Sequence, residues 1–127
     1  MKVLALDFGS ARTGVAVSDA TGAIARPLCV VKRADIDEIA TIARDQQVSE
    51  IVVGHPLTLR GDRGEQAHAT ERFAAKLRRA VDVPVVLFDE RFTTDLAQQT
   101  PSDTAEDARA AAHLLSSYLE WSAASGR

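Results

Sequence analysis

The sequence has few of the residues that build disulfide, metal-thiolate or membrane structures. Its 127 residues include one cysteine, one tryptophan and one tyrosine, and aromatic residues make up only 5%. The single cysteine, Cys29, has no partner for an intrachain disulfide, and its apolar neighbours predict a buried core thiol. No apolar run approaches the roughly 18 residues of a membrane span, and Asp7 interrupts the first one. These absences predict one cytoplasmic domain over residues 1–127.

An excess of positive charge is also missing. Fifteen lysines and arginines face 18 aspartates and glutamates, which gives a net charge of -3 and a pI near 5.6. Proteins that coat nucleic acid by bulk electrostatics carry the opposite balance. Nucleic-acid binding by this chain is therefore expected to depend on local cations that border strand ends, and the candidates are Arg12, Arg60, Arg63 and Arg91.

The order of the apolar segments predicts an α/β fold. Three short segments, 2–6, 14–18 and 23–31, are separated only by turn residues, which is typical of an antiparallel meander. After them, helical spacing at 35–47 and 65–81 alternates with strands at 50–53 and 84–88. A last helix, capped by Ser102 or Asp103, runs to about residue 121. The order βββαβαβα requires a mixed five-stranded sheet flanked by helices.

Three carboxylates lie at the ends of these elements. Asp7 follows the first strand, Glu90 follows the fifth, and Asp107 extends the apolar face of the last helix. Because ligands of such sheets collect at the carboxyl ends of the strands, we expect these acids to meet there. Carboxylate oxygens suit Mg²⁺ or Mn²⁺, and two such ions support phosphodiester hydrolysis. The three acids together therefore suggest metal-dependent cleavage of nucleic acid.

Each acid also has an ordinary structural interpretation. Asp7 is placed to cap the turn that follows it, and Glu90 is placed to pair with Arg91 or with a helix lysine. Asp107 is suited to the first turn of a helix, where the helix dipole favours a negative charge. His55, close to the same edge, is suited either to contact a phosphate or to orient its own loop.

Four segments of the chain resemble the bacterial YqgF proteins, RNase H-like relatives of the Holliday junction resolvases that are regarded as nucleases processing the 16S rRNA precursor. The matching segments are 6–19, 51–57, 89–94 and 107–119, and they span nearly the whole chain in order. The most specific of them is the run Asp-Glu-Arg-Phe-Thr-Thr that begins at Asp89.

The resemblance implies an RNase H-like sheet and a Mg²⁺- or Mn²⁺-dependent nuclease whose catalytic and metal-binding residues are Asp7, Glu90 and Asp107. Its substrate contacts would come from Gly9, Arg12, His55, Arg60, Arg63, Arg91, Thr93 and Thr94. RNA is the favoured nucleic acid, with DNA and branched junctions as further substrates. A ribosomal precursor particle is the expected partner, no membrane is expected, and the assembly is a monomer or a homodimer.

Two features differ from the family pattern. Family members usually carry a longer, basic insert before the last-helix aspartate, whereas residues 98–106 here have no positive charge. In the resolvases the second acid follows the fourth strand, so Glu90, after the fifth, has to reach one more strand spacing of about 4.8 Å toward Asp7. The alternative function is a non-catalytic binding module in ribosome biogenesis or transcription. ATP-dependent phosphotransfer is disfavoured, because it needs a second lobe.

Overall fold

The computed structural model describes residues 1–9, 11–92 and 104–125. The strands are β1 (Val3–Asp7), β2 (Arg12–Ser18), β3 (Ala25–Lys32), β4 (Glu50–His55) and β5 (Val85–Asp89). The helices are α1 (Ile36–Asp45), α2 (Glu65–Ala80) and α3 (Thr104–Ala124), and a 3₁₀ turn, Glu90–Phe92, follows β5. The predicted order of elements is confirmed, with ends that differ by a few residues. The predicted cap at Ser102 or Asp103 lies outside the described residues.

The five strands form one mixed sheet in the order β3-β2-β1-β4-β5. β1, β2 and β3 pair antiparallel, which confirms the predicted meander. β4 runs parallel to β1, and β5 runs parallel to β4, with α1 and α2 as the crossovers. The carboxyl ends of β1, β4 and β5 therefore share one edge of the sheet.

Helices cover both faces of the sheet. One face packs against α1 and α2 and carries Leu4, Leu6, Val53, Phe73 and Leu77. The other packs against α3 and carries Val3, Ala5, Val52, Phe88, Ala111 and Tyr118. Because side chains alternate along a strand, Asp7 belongs to the α3 face and Phe8 to the α1–α2 face.

Two aspartates stabilise connections between elements by accepting hydrogen bonds from backbone amides. Asp35 caps α1, since its side chain accepts a hydrogen bond from the Glu38 amide at 3.1 Å. In the turn between β2 and β3, the Asp19 carboxylate accepts from the amides of Ala23 and Ile24. Hydrogen bonds, the largest from Thr21, lower the pKa of Asp19 to about 2. Aspartates are favoured at both kinds of position because their oxygens satisfy backbone amides.

One buried carboxylate ties α3 to the sheet far from the site described below. Glu50, at the start of β4, is 7% exposed and accepts a hydrogen bond from the Tyr118 hydroxyl at 2.7 Å. A buried acid is costly without such a partner, so the contact fixes the middle of α3 against β4.

The structure bears on two predictions made from composition. The prediction of a buried core thiol at Cys29 is wrong: the residue is half-buried. Its strand, β3, forms an edge of the sheet, where one side has no neighbouring strand. Of the helices in the described residues, none combines the length and the apolar character needed to cross a membrane.

Candidate active site

Asp7 lies at the carboxyl end of β1, the central strand of the sheet, opposite Gly14 of β2. Burial, and after it the negative charge of Asp107, raises the pKa of Asp7 from 3.8 to about 6. A pKa raised in this way means that the surroundings penalise the ionised carboxylate. Such a site is relieved by a bound cation, and perturbed acids of this kind are concentrated at functional sites.

Glu90 extends from beyond β5 over β4, and its carboxylate interacts electrostatically with that of Asp7. The residue of β4 beneath it is Gly54, and a methyl group added there would lie 2.9 Å from Oε2 of Glu90 and 3.0 Å from its Cδ. The missing side chain of Gly54 therefore leaves the space that the Glu90 side chain fills. Burial, followed by the charges of Asp7 and Asp89, raises the pKa of Glu90 to about 7. The extra strand spacing expected from the sequence is bridged in this way.

Asp107 is brought to the same edge by a close approach of α3 to β2. A methyl group added to Gly14 would collide with the backbone carbonyl oxygen of Asp107. Only glycine allows the helix to come so near. The Asp107 carboxylate faces a cation, because Nε of Arg12 lies 2.8 Å from its Oδ2.

The ligand atoms that the three acids offer are of the kind that divalent ions bind. The acids offer only oxygen ligands, which suit Mg²⁺ or Mn²⁺ better than zinc. The raised pKa values of Asp7 and Glu90 are those of carboxylates that lack a counter-ion. Over residues 1–9, 11–92 and 104–125, no group of three potential ligands is already arranged around a common point. Asp107, which is paired with Arg12, would have to exchange that partner to join an ion.

The loop after β4, residues 57–64, is fastened to α2 through Glu71. Oε2 of Glu71 lies 2.7 Å from Nε2 of His55, and Arg63 donates to both Glu71 oxygens at 2.9 and 2.6 Å. The hydrogen bond from Arg63 is the main cause that lowers the pKa of Glu71 to about 2. His55 thus shares Glu71 with Arg63 of the loop, and its contact with substrate stays a prediction.

Arg91 fastens the same loop from the side of β5. Its guanidinium holds the Asp89 carboxylate, with Nη2 2.6 Å from Oδ2, and Nη1 donates to the Leu59 carbonyl at 3.3 Å. The hydrogen bond from Arg91 keeps the pKa of Asp89 below its usual range. The suggestion that Arg91 pairs with Glu90 is thus wrong, because the partner is Asp89.

The remaining predicted contact residues are Gly9, Arg60, Thr93 and Thr94, of which the structure describes the first two. Gly9 follows β1, and a methyl group there would lie 2.5 Å from the Arg12 carbonyl oxygen, so the turn is tight. Arg60 is exposed on the loop 57–64. Thr93 and Thr94 lie outside the described residues.

Sequence reasoning missed the structural role of Gly54 and the two carboxylates that hold arginines, Glu71 and Asp89. An isolated glycine at the end of the apolar run 51–53 is the signal that could have found the first. The hydrogen-bond partners of Glu71 in the loop and at the end of β4, Arg63 and His55, lie eight and sixteen residues away, so no helical spacing signals them.

The order and direction of the strands define an α/β protein with an RNase H-like fold. Two solved structures share this fold. One is T. thermophilus RuvC in complex with a Holliday junction substrate, with a TM-score of 0.63 and 17% identity over 99% of this chain and 96% of that one. The other is a further Thermus thermophilus RuvC structure, with a TM-score of 0.62 and 16% identity over 99% and 97%. At such identities the likeness establishes the fold alone.

The chain belongs to the RuvX family, whose model is described as a Holliday junction resolvase and matches residues 1–121. A Chloroflexus aurantiacus protein is 47% identical over 76% of this chain, and the match covers 66% of its own length, just under two thirds. A Sulfurihydrogenibium protein is 36% identical over 94% of this chain and 90% of its own length. Both are named "Putative pre-16S rRNA nuclease". RuvX is another name for the YqgF family, so the family predicted from the motifs is confirmed.

Proposed function

We propose that the protein is a metal-dependent nuclease that hydrolyses phosphodiester bonds, with the 16S rRNA precursor as its substrate. The observation that carries the proposal is that Asp7 lies between two further acids, each admitted by a glycine. Glu90 passes over Gly54, and the backbone of Asp107 lies against Gly14. Folding does not favour such a concentration of negative charge, because it penalises the ionised state. The names of the relatives favour a ribosomal RNA precursor over other nucleic acids.

In this proposal Asp7, Glu90 and Asp107 hold Mg²⁺ or Mn²⁺. When bound, a pair of such ions activates water and neutralises the charge that develops on the phosphate and on the leaving oxygen. The three side chains would position the ions at this edge of the sheet, where Asp7 and Glu90 are half-buried. Arg12 neutralises Asp107 in the metal-free protein and is the cation placed to receive a substrate phosphate.

The loop 57–64 is proposed to face the substrate. Arg63 and Arg91 form ion pairs with Glu71 and Asp89. They therefore hold the shape of the loop, and their positive charges are largely neutralised. Arg60 is exposed and forms no ion pair among the described residues, which makes it the loop cation for phosphate. Gly9, Thr93 and Thr94 keep the substrate contacts implied by the family. The sheet and its helices would act as a single nuclease domain.

The test compares cleavage by the wild type, Asp107→Asn and the matched control Asp45→Asn. End-labelled single-stranded RNA with the precursor 5′ sequence, duplex DNA and a four-way junction are each incubated with Mg²⁺, Mn²⁺ or EDTA. We expect metal-dependent products from RNA with the wild type and the control only. Products from the junction alone would replace the substrate by branched DNA. No products, or equal products from all three proteins, would contradict a nuclease and favour the binding module.

A further inference from the structure

A cavity lies across the sheet from the acids. It has a volume of about 290 Å³, and its lining includes Phe8, Ala34, Ile36, Arg72, Phe73 and Lys76. We call it the Phe8 cavity. Phe8 follows Asp7 directly, so the cavity begins one residue from the proposed metal site. None of its lining residues has a part in the cleavage proposed above.

An aromatic pair forms one wall of the Phe8 cavity. The rings of Phe8 and Phe73 are stacked, with centroids 4.7 Å apart and planes 25° from parallel. Phe73 is buried at 4% exposure, whereas Phe8 is only partly buried. The cavity therefore exposes part of the Phe8 ring, whose position is fixed by stacking on Phe73. Nucleobases stack on such rings with little regard to sequence.

Two cations stand at the rim of the Phe8 cavity. Arg72 and Lys76 are exposed and lie four residues apart on α2, so they share one face of that helix. Within the described part of the chain neither of them forms an ion pair. The neighbouring α1 contributes acids in its first turn, Asp37 and Glu38, and its cap Asp35 is occupied by a backbone amide. A protein of net negative charge needs such local cations to hold a polyanion.

The wall that precedes α1 is held in a strained conformation. Arg33, next to Ala34 of the cavity, has a φ of 58°, which is unusual for a residue other than glycine. Its N–H donates to the Ala11 carbonyl at 2.7 Å, and its carbonyl accepts from the Thr13 hydroxyl at 2.9 Å. The wall is thus tied to the turn that follows β1, and its shape is set before any ligand arrives.

We propose that the Phe8 cavity binds one unpaired nucleotide of the substrate on the face of the sheet opposite the acids, with the base against Phe8 and a phosphate between Arg72 and Lys76. The inference rests on the proposed nuclease function and adds the requirement that the substrate be single-stranded at this point. A base that is already unpaired enters a cavity without the cost of breaking a base pair and its stacking. A volume of about 290 Å³, at the lower end of ligand pockets, suits one base rather than a duplex.

The test measures binding of fluorescently labelled single-stranded RNA in EDTA, so that neither metal nor cleavage is needed. The double variant Arg72→Gln/Lys76→Gln is compared with Arg26→Gln/Arg44→Gln, which loses the same charge at exposed positions outside the cavity. We expect the first variant to bind about tenfold more weakly, with a slope of log K against log salt that is shallower by about 1 to 1.4. The control variant should keep the wild-type slope, and duplex RNA should not distinguish the two.

A third variant separates stacking from charge. Phe8→Leu keeps an apolar side chain against Phe73 but removes the ring, so RNA binding should weaken several-fold while the salt slope stays unchanged. Its thermal transition is measured alongside, and binding is compared at a temperature where all variants are folded.

Each outcome separates this inference from the nuclease proposal. Equal binding by the two double variants overturns the Phe8 cavity as a nucleotide site, and wild-type cleavage of RNA would then leave the nuclease proposal standing. A loss confined to Arg72→Gln/Lys76→Gln, in a protein that cleaves none of the tested substrates, supports the cavity and refutes the nuclease.

Discussion

The carboxylate of Glu90 lies over the α-carbon of Gly54, and this contact brings an acid from beyond β5 to an acid on β1, two strands away in the sheet. Any other residue in place of Gly54 would carry a Cβ into the space that the glutamate occupies. The glycine of β4 is thus as much a part of the acidic site as the acids themselves.

Gly54→Ala should separate Glu90 from Asp7 with little effect on the fold. The new methyl group would meet the far end of a flexible side chain, which can turn away. Because small displacements of catalytic groups are costly, we expect cleavage to fall about 10- to 100-fold. Mn²⁺ affinity, measured by calorimetry, should fall too. Gly64→Ala is the control for Mn²⁺ affinity, since no atom lies within 4 Å of the added methyl and Gly64 is not a proposed metal ligand. Wild-type cleavage and Mn²⁺ affinity in Gly54→Ala would be evidence against the role of Gly54.

Gly14→Ala should act differently, because the atom it meets is backbone. The collision with the Asp107 carbonyl forces α3 away from β2. We expect a loss of about 1–3 kcal/mol in the free energy of unfolding, together with loss of cleavage. Urea denaturation and the RNA assay measure the two effects. A variant of wild-type stability would show that α3 does not press on Gly14.

Asp7→Asn should abolish cleavage and yet stabilise the metal-free protein. The folded state raises the pKa of Asp7 from 3.8 to about 6. Below pH 3.8 the carboxyl is protonated in both states, whereas above about pH 6 its ionisation lowers the free energy of unfolding. We expect the variant to exceed the wild type by about 1–3 kcal/mol at pH 8 in EDTA. The difference should shrink as the pH falls through about 6 and vanish below 3.8. Denaturation curves at each pH measure it, and a constant difference would contradict the assignment.

Mn²⁺ should reverse the order of the wild type and Asp7→Asn. An ion that binds only the folded protein stabilises it by mass action, and the variant has lost one of the proposed ligands. We therefore expect the thermal midpoint of the wild type to rise with added Mn²⁺ and that of the variant to rise less. Equal rises would remove Asp7 from the metal site.

Glu71→Gln should release the loop 57–64. The variant cannot hold Arg63 and His55 as a carboxylate does, so the hydrogen bonds within the loop, such as Gly61 N–H to the Thr58 carbonyl, should open more often. Hydrogen exchange at the Gly61 and Asp62 amides should become about tenfold faster. Glu120→Gln, on the exposed side of α3, is the control. Unchanged exchange would mean that Arg91 alone fastens the loop.

Much of the fold follows from hydrophobic periodicity. Side chains alternate along a strand, so Val86 and Phe88 of β5 share a face, and both pack against α3. The stripe of α3 that continues from Asp107 through Ala111 to Tyr118 is likewise buried as its spacing indicates. These predictions hold because they depend on residues that are neighbours along the chain.

Other features depend on which strands become neighbours, and no local pattern specifies that. The edge position of β3 leaves Cys29 half-buried, although its apolar neighbours resemble a core segment. The place of β4 between β1 and β5 makes Gly54 essential to Glu90. Partners such as Glu71 for His55 come together only when α2 packs against the end of β4.

The hydrogen bond between Tyr118 and Glu50 sets the position of Asp107 from a distance. Three helical turns separate Tyr118 from Asp107, and the helix between them is a stiff rod that rises about 5.4 Å per turn. Its far end is locked to β4, and its near end is wedged against Gly14. Sliding along the axis is thereby opposed at both ends, so the third acid is aligned by a tyrosine that contacts the opposite edge of the sheet, where β4 begins.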